Sequence, residues 1–270
     1  MCDSYTSFAE VYDLFMDNVP YDRWASGIDS LLQKYLPSAD KPMILDLGCG
    51  TGQITRRLRD KGYDMTGVDS SYEMLEIARA HENDNTILYL CQDMRDLDLF
   101  GTYQGVVSVC DCLNYITDQG DLLRVFERVN NFLHPGGVFI FDINTVYKYE
   151  KVLADNTFAE NRDEGSFIWE NEYDSSTGLN EYDLTLFIRE DDGRFAKYFE
   201  EHLQKAYPKH LIEELLEEAG LELIEELDTD TFGETVPTSE KITFVAREHL
   251  KDPEHPGYYK DGSKQPQIGE

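Results

Sequence analysis

The stretch Leu45-Asp-Leu-Gly-Cys-Gly-Thr-Gly-Gln53 decides how the rest of the chain is read. A short apolar run, Met43 to Leu47, ends in three alternating glycines, Gly48, Gly50 and Gly52, and a helical pattern follows from Ile54 to Lys61. Glycines let the backbone turn sharply there and come within contact distance of a ligand, beside a helix N-terminus. Strand, glycine turn and helix together open a nucleotide-type crevice in a parallel sheet. The dinucleotide fingerprint needs a third glycine where this chain carries Gln53, which weakens a hydride-transfer reading.

Outward from this turn the chain keeps one rhythm. Tyr63 to Val68, Thr86 to Cys91, Gly105 to Cys110 and Val138 to Ile143 read as further strands. Between them lie a helix carrying Met74, Leu75, Ile77 and Ala78, capped by Ser70 or Ser71, and a second over Leu122 to Leu133, stopped by His134-Pro-Gly-Gly. Such alternation predicts parallel βαβ units with right-handed crossovers, an α/β doubly wound fold. The rhythm breaks near residue 148. From Ser166 to Leu203 alternating segments are separated by Ser175-Ser-Thr-Gly and Asp191-Asp-Gly, as in antiparallel hairpins. Pro208 opens a last helix with Leu211, Ile212, Leu215, Leu216 and Ala219 on one face, and Leu221 to Leu227 and Lys241 to Arg247 read as closing strands.

The 270 residues include 54 acidic and 24 basic side chains, a formal charge of −30. Phosphate backbones and anionic lipid repel such a protein unless a basic patch intervenes. The densest basic cluster, Arg56, Arg57, Arg59 and Lys61, reads as a solvated helix face. The hydrophobic content of 41% excludes a disordered acidic chain. Five cysteines, an odd number without a C-x-x-C, fit a reducing compartment. The start has no signal-peptide pattern, and no apolar run approaches a membrane span, so a cytoplasmic protein without a membrane partner is expected. The six histidines show no metal-ligand spacing, and Cys110 and Cys112 read as packing residues, so no metal is expected.

Acidic residues end two further strands. Asp69, 17 residues beyond Gly52, can accept hydrogen bonds from both hydroxyls of an adenosine ribose. Asp93 can meet an adenine amino group, and Met94 the ring. At this point the sequence resembles the class I S-adenosylmethionine-dependent methyltransferases, through LDLGCGTGQ at 45–53, GVDSSYEML at 67–75, CQDMRDLDL at 91–99 and the Pro-Gly-Gly before the fifth strand. YTSFAEVYDLFM at 5–16 and PYDRW at 20–24 look like the N-terminal lid of small bacterial members, and the insertion is similar to the antiparallel cap of sugar-amine N-methyltransferases.

The resemblance implies a Rossmann-like, doubly wound seven-stranded mixed sheet with a small antiparallel β insertion after strand five. The expected organisation is a helical lid over 1–40, a cofactor-binding core over 41–149 and 206–250, a β-rich cap over 150–205 and a flexible tail over 251–270. S-adenosylmethionine is the implied cofactor. Gly48 and Gly50, with Cys49 between them, would approach its methionine moiety and ribose, and Asp46 would hold the turn and the methionine amino group. Asp69 would bind the ribose, with Ser70 or Met74 beside the adenosine and Asp93 and Met94 framing the adenine. Asp111 would lie near the methionine end or the reacting centre, and Tyr21 and Arg23 would meet the cofactor carboxylate. Tyr5, Phe8, Tyr12 and Trp24 are candidates to fold over the sulfonium.

The acceptor is expected at the carboxyl ends of strands four and five and under the insertion. Candidates are Asp111, Asn114, Tyr115, Asn144, Trp169, Tyr173 and His202, with His202 a potential general base. The leading expectation is methyl transfer to N or O of a small molecule. Alternatives are an RNA or protein substrate, or a module that binds the cofactor without catalysis. Residues 150–230 hold 24 acidic and 7 basic residues, which disfavours RNA and favours an amine-bearing acceptor if the cap faces it.

Overall fold

Strand β1 (Met43–Leu47) is apolar at nearly every position because both of its faces are covered, and Ile44, Leu45 and Leu47 have no exposed surface. The structure, a computed structural model, describes residues 13, 15–36, 39–82, 84–190, 192–255 and 257–265. Around β1 lie β2 (Asp64–Asp69), β3 (Leu88–Cys91), β4 (Tyr103–Ser108) and β5 (Leu133–Asn144), all parallel. After a long excursion the chain returns as β10 (Leu221–Asp228) and β11 (Lys241–Glu248), with β11 antiparallel to both β5 and β10. The order β10-β11-β5-β4-β1-β2-β3 is the expected seven-stranded mixed sheet. Its strand order reverses between β1 and β4, where a ligand crevice opens at the carboxyl ends.

Among the described residues five helices cover the two faces: α1 (Tyr21–Tyr35), α2 (Gln53–Asp60), α3 (Tyr72–Ala80), α4 (Gln119–Phe132) and α5 (Lys209–Glu218). Alternation along β5 sorts the core. Phe139, Phe141 and Ile143 pack with Val125, Phe126 and Leu216 of α4 and α5. Val138 and Ile140 face Ile28, Leu58 and Leu75 of α1 to α3. Capping follows the sequence signals: Ser71 Oγ accepts from the Met74 amide, and Asp118 from the amides of Gly120 and Asp121.

The excursion between β5 and α5 forms a second sheet of four antiparallel strands in the order β6 (Thr157–Asn161), β7 (Gly165–Asp174), β8 (Leu179–Arg189) and β9 (Phe195–Lys205). One face of it packs Phe15, Phe167, Trp169, Leu184 and Leu186 together. Two local features differ from expectation. Strand β5 starts at Leu133 and runs through His134-Pro-Gly-Gly, because Leu133 pairs with Tyr103 before a register shift. A π-helical turn, Lys148–Leu153, joins β5 to the second sheet.

At the amino end, α1 carries Tyr21 and Trp24, while Cys2, Tyr5, Phe8 and Tyr12 lie outside the described residues. Within the stretch read as a flexible tail, Lys251 is buried and its Nζ donates to the carbonyls of Asn130, Asn131 and Leu133 at the end of α4. Among the described residues no helix is long and apolar enough to cross a membrane, and Cys49, Cys91, Cys110 and Cys112 are free thiols.

Candidate active site

The glycine turn is folded back on β2. The Val68 carbonyl accepts from the amides of both Gly48 (2.7 Å) and Cys49 (2.9 Å). Gly48 has φ +79°, and a Cβ there would lie 2.6 Å from Cys112 Sγ, so a side chain is excluded by both conformation and space. Gly50 also has a positive φ, +52°, yet among the described residues nothing lies within 4 Å of the Cβ it lacks. Its bare face opens into a cleft of about 420 Å³, the size of a small-ligand site.

The strand ends line that cleft. Asp69 takes the Gly50 amide on one oxygen and the Ser71 amide on the other, both at 2.8 Å, and each oxygen keeps a further acceptor position. Burial raises its pKa against the pull of those amides. Behind the turn, Asp46 is buried and 2.5 Å from Thr55 Oγ1, and burial, with the Asp69 charge adding, pushes its carboxyl up to about 7. Met74 and Met94 supply apolar wall, and Cys49, Ser70 and Tyr21 complete the lining near the turn. Asp93 is engaged by Arg95, whose guanidinium and backbone amide both donate to it and hold its carboxyl below the usual range. Arg95 also lines the cleft and was missed by sequence reasoning, although it stands in the same motif.

Arg23 is not brought there. Its side chain is 55% exposed and pairs with Asp230 at 3.2 Å. Two positions apart on a helix are about 200° apart around the axis. With Tyr21 turned to the cleft, Arg23 must face away.

On the other side of the cleft the chain leaves β4 through Cys110 and Asp111, consecutive non-glycine residues with φ +65° and +54°. Left-handed residues cost about 1–2 kcal/mol each. Here Asp142 of β5 compensates, one oxygen taking the Cys110 amide (3.0 Å) and the other the Asp111 amide (2.7 Å). Asp142 has no exposed surface and burial raises its pKa, while Lys241 of β11 opposes the shift. Asp111 itself accepts from Lys241 Nζ (3.0 Å) and Gln204 Nε2 (2.9 Å). Burial pushes its carboxyl up, but Lys241, Lys148 and these hydrogen bonds leave it below its ordinary value. Lys241 also lies over the Trp24 ring at 5.0 Å. Asp111 therefore sits beside the cleft in an ion-pair network and is not part of its lining.

Asn114 is a fully buried clip. Its amide nitrogen donates to the Lys205 carbonyl, and its oxygen accepts from the Asn144 amide, tying the turn after β4 to β9 and β5. Asn144 in turn contacts Tyr149 and Lys148 through its side chain. Tyr115 does line the cleft. Its hydroxyl lies 2.6 Å from Tyr182 Oη and 3.3 Å from His202 Nδ1. His202, 1% exposed, stacks on Tyr182, and its Nε2 is 3.2 Å from Glu200. Trp169 packs against Phe158 and Tyr182, and Tyr173 stacks on Tyr149. Sequence reasoning missed Glu200, Gln204 and Tyr182. A signal existed: Glu200, His202 and Gln204 alternate, so they share one face of a strand. That face is the buried one. On the opposite face, three carboxylates, of Glu181, Asp183 and Glu201, come within 4.8 Å of one another.

The geometry has counterparts. The profile of a methyltransferase domain matches residues 44–137. A protein of Geobacillus sp. (strain WCH70), named as a methyltransferase, is 36% identical over 248 residues, covering 90% of this chain and 99% of its own. The crystal structure of an S-adenosylmethionine-dependent methyltransferase from Clostridium acetobutylicum ATCC 824 matches with a TM-score of 0.81 at 32% identity, over 91% of this chain and 99% of that one. A dTDP-3-amino-3,6-dideoxy-alpha-D-glucopyranose N,N-dimethyltransferase of Streptomyces fradiae is 30% identical over 136 residues, half of this chain and 52% of its own.

Proposed function

This chain belongs to the S-adenosylmethionine-dependent methyltransferase family, and from that premise we propose that it methylates a nitrogen or oxygen of a small molecule, most favourably an amine, held between the cleft and the antiparallel sheet. The lining suits the cofactor. Gly50 leaves room where the ligand would approach, Asp69 keeps an acceptor position on each oxygen for two ribose hydroxyls, and Met74 and Met94 are apolar where a flat base would lie. In this reading Asp93 meets the adenine amino group, and Asp46, Gly48 and Cys49 face the methionine end. Tyr21 would close that end, without Arg23. The bound cofactor supplies a methyl group already activated on a sulfonium. The chain's own task is to orient the acceptor in line with the methyl–sulfur bond and to exclude water.

The observation that carries the reading is Tyr115, which lines the cofactor cleft while hydrogen-bonded to Tyr182 and near His202 of the second sheet. Tyr115 thereby joins the cleft to the second sheet, and an acceptor held beside it would lie between the two. The excess of acidic over basic residues across 150–230 supports a cationic acceptor and opposes RNA. The Streptomyces fradiae relative, an amino-sugar N,N-dimethyltransferase by name, points the same way. Calorimetric titration with S-adenosylmethionine, followed by incubation with methyl-labelled cofactor and separate pools of nucleotide amino sugars, other amines, RNA and protein, tests it. Label in the small-molecule pools is expected. Label confined to RNA or protein would overturn the acceptor class, and tight cofactor binding without any transfer would favour a non-catalytic module.

A further inference from the structure

Most of the buried face of the second sheet is aromatic or aliphatic, but its β8–β9 end carries ionisable side chains. Tyr182 and His202 stand opposite each other in register, their rings stacked 4.6 Å apart and 10° from parallel. Glu200, 7% exposed, stands opposite Leu184. Removing a carboxylate and an imidazole from water is costly unless each is paired. These two are paired with each other, and the pair reaches the cleft through Tyr115.

We propose that Tyr115, His202 and Glu200 form a proton relay for the methyl acceptor, with Tyr115 the catalytic group that touches the nucleophile and His202 and Glu200 positioning residues behind it. The inference rests on the reading that a small-molecule acceptor binds beside Tyr115. Hydrogen-bond direction fixes the order. In the relay a carboxylate at Glu200 accepts from His202 Nε2–H, and His202 Nδ1 accepts from Tyr115. In that tautomer Tyr115 would donate its hydroxyl proton to Nδ1, 3.3 Å away, and accept from Tyr182 Oη, 2.6 Å away. Among the described residues the groups facing the imidazole include Tyr115 from the turn after β4, Tyr182 from β8 and Glu200 from β9.

The step balances. The lone pair of the acceptor forms the new bond to the methyl carbon, and the carbon–sulfur pair returns to sulfur. The proton leaving the acceptor passes to Tyr115 Oη as the Tyr115 proton passes to His202 Nδ1. The imidazolium so formed is stabilised by Glu200 until, after the product leaves, the proton returns through Tyr115 Oη to water in the cleft. An amine bound as ammonium needs the same path before attack, because its lone pair is otherwise occupied.

Two measurements test the relay, and the first needs no acceptor. In the full chain with nitrogen-15-labelled histidine, the His202 resonance, assigned by its loss in His202→Gln, should report a protonated Nε2 and a bare Nδ1. Tyr115→Phe should shift the Nδ1 resonance, and Glu200→Gln should abolish the single tautomer. A protonated Nδ1, or an Nδ1 signal indifferent to Tyr115→Phe, overturns the proposal. The second uses dTDP-3-amino-3,6-dideoxy-glucopyranose and labelled S-adenosylmethionine. Tyr115→Phe and His202→Gln should lower kcat by roughly 10²–10⁴-fold. KM and the affinity for S-adenosylhomocysteine should hold, and Glu200→Asp should retain more activity than Glu200→Gln. Full kcat in Tyr115→Phe, or a matching loss of cofactor affinity, overturns it. If the wild type does not methylate this probe, the choice of acceptor fails there, and the tautomer still decides the relay.

Discussion

Two glycines three positions or fewer apart, both left-handed, should respond to alanine in opposite ways. At Gly50, φ +52° lies within the left-handed region that an L-residue reaches at about 1–2 kcal/mol, and the added methyl meets no atom of the described residues within 4 Å. Gly50→Ala should therefore fold, with a Tm lower by a few degrees at roughly 2–4 °C per kcal/mol. At Gly48 the same conformational cost applies, and the methyl also lands 2.6 Å from Cys112 Sγ and 2.9 Å from its Cβ. Overpacking adds about 1–3 kcal/mol, so Gly48→Ala should lose roughly 2–5 kcal/mol and be the less stable of the two. Cofactor binding reverses the emphasis. The Gly50 methyl occupies the space into which a ligand would settle, so a folded Gly50→Ala should lose at least tenfold in affinity for S-adenosylmethionine by calorimetry. Its cofactor-induced rise in Tm should shrink accordingly. Wild-type affinity in Gly50→Ala would refute the assignment of this turn to the cofactor. Gly50→Ala proving less stable than Gly48→Ala would refute the packing argument.

Asp69→Ala should weaken cofactor binding by roughly 1–3 kcal/mol, the loss of a charged acceptor for the ribose, and unchanged calorimetric affinity in a folded variant would sink the role. Asn114→Ala leaves the Lys205 carbonyl and the Asn144 amide without their partner, so urea unfolding should show a loss of roughly 2–5 kcal/mol. A loss under 1 kcal/mol would mean the clip is not what joins the turn to both sheets. Asp46 gives a pH prediction with a definite sign. Its folded pKa is raised from 3.8 to about 7, so the native state holds the proton longer than the unfolded chain, and stability falls as pH rises between those values. Asp46→Asn removes that slope. Between pH 5 and 8 the wild type should lose roughly 2–3 kcal/mol relative to the variant in urea titrations, and a constant difference would refute the buried-acid reading.

The parts of the fold that were legible are those in which one short segment carries its own pattern. The glycine turn, the strand ending in Asp69 and the hairpins of the second sheet each announce themselves within about ten residues. Boundaries were less legible where tertiary pairing overrides local propensity. His134-Pro-Gly-Gly has every mark of a loop, yet the pairing of Leu133 with Tyr103 draws it into β5. In the site, Arg23 fails on helical geometry that the sequence already contained, since Tyr21 and Arg23 cannot share a face. Asn114 could not have been read from sequence, because its partners lie 91 and 30 positions away. The ionic contact of Asp111 with Lys241 spans 130 positions and depends on β11 returning antiparallel beside β5. Glu200 lay within reach, since a carboxylate two places before a histidine on an alternating strand must point to the same side.

The electrostatics of the cleft carry the meaning that the overall charge does not. Most of the −30 is spread over solvated surface, where it governs solubility and which ligands approach. In and beside the cleft, four carboxylates fall into two pairs. Asp93 is matched by Arg95 and Asp111 by Lys241, and both are held below their ordinary pKa. Among the described residues Asp46 and Asp69 are held by a hydroxyl and by backbone amides, and burial raises both. A protein gains nothing in stability from two such groups side by side, since each disfavours ionisation of the other. In the proposed reading that cost would be recovered when a cation enters, because an ammonium or sulfonium nearby would restore the ionised forms, whereas a neutral nucleotide would not relieve it and an anionic one would add to it. The unmatched pair would then favour a positively charged cofactor, at a cost in stability that the Asp46 pH titration measures.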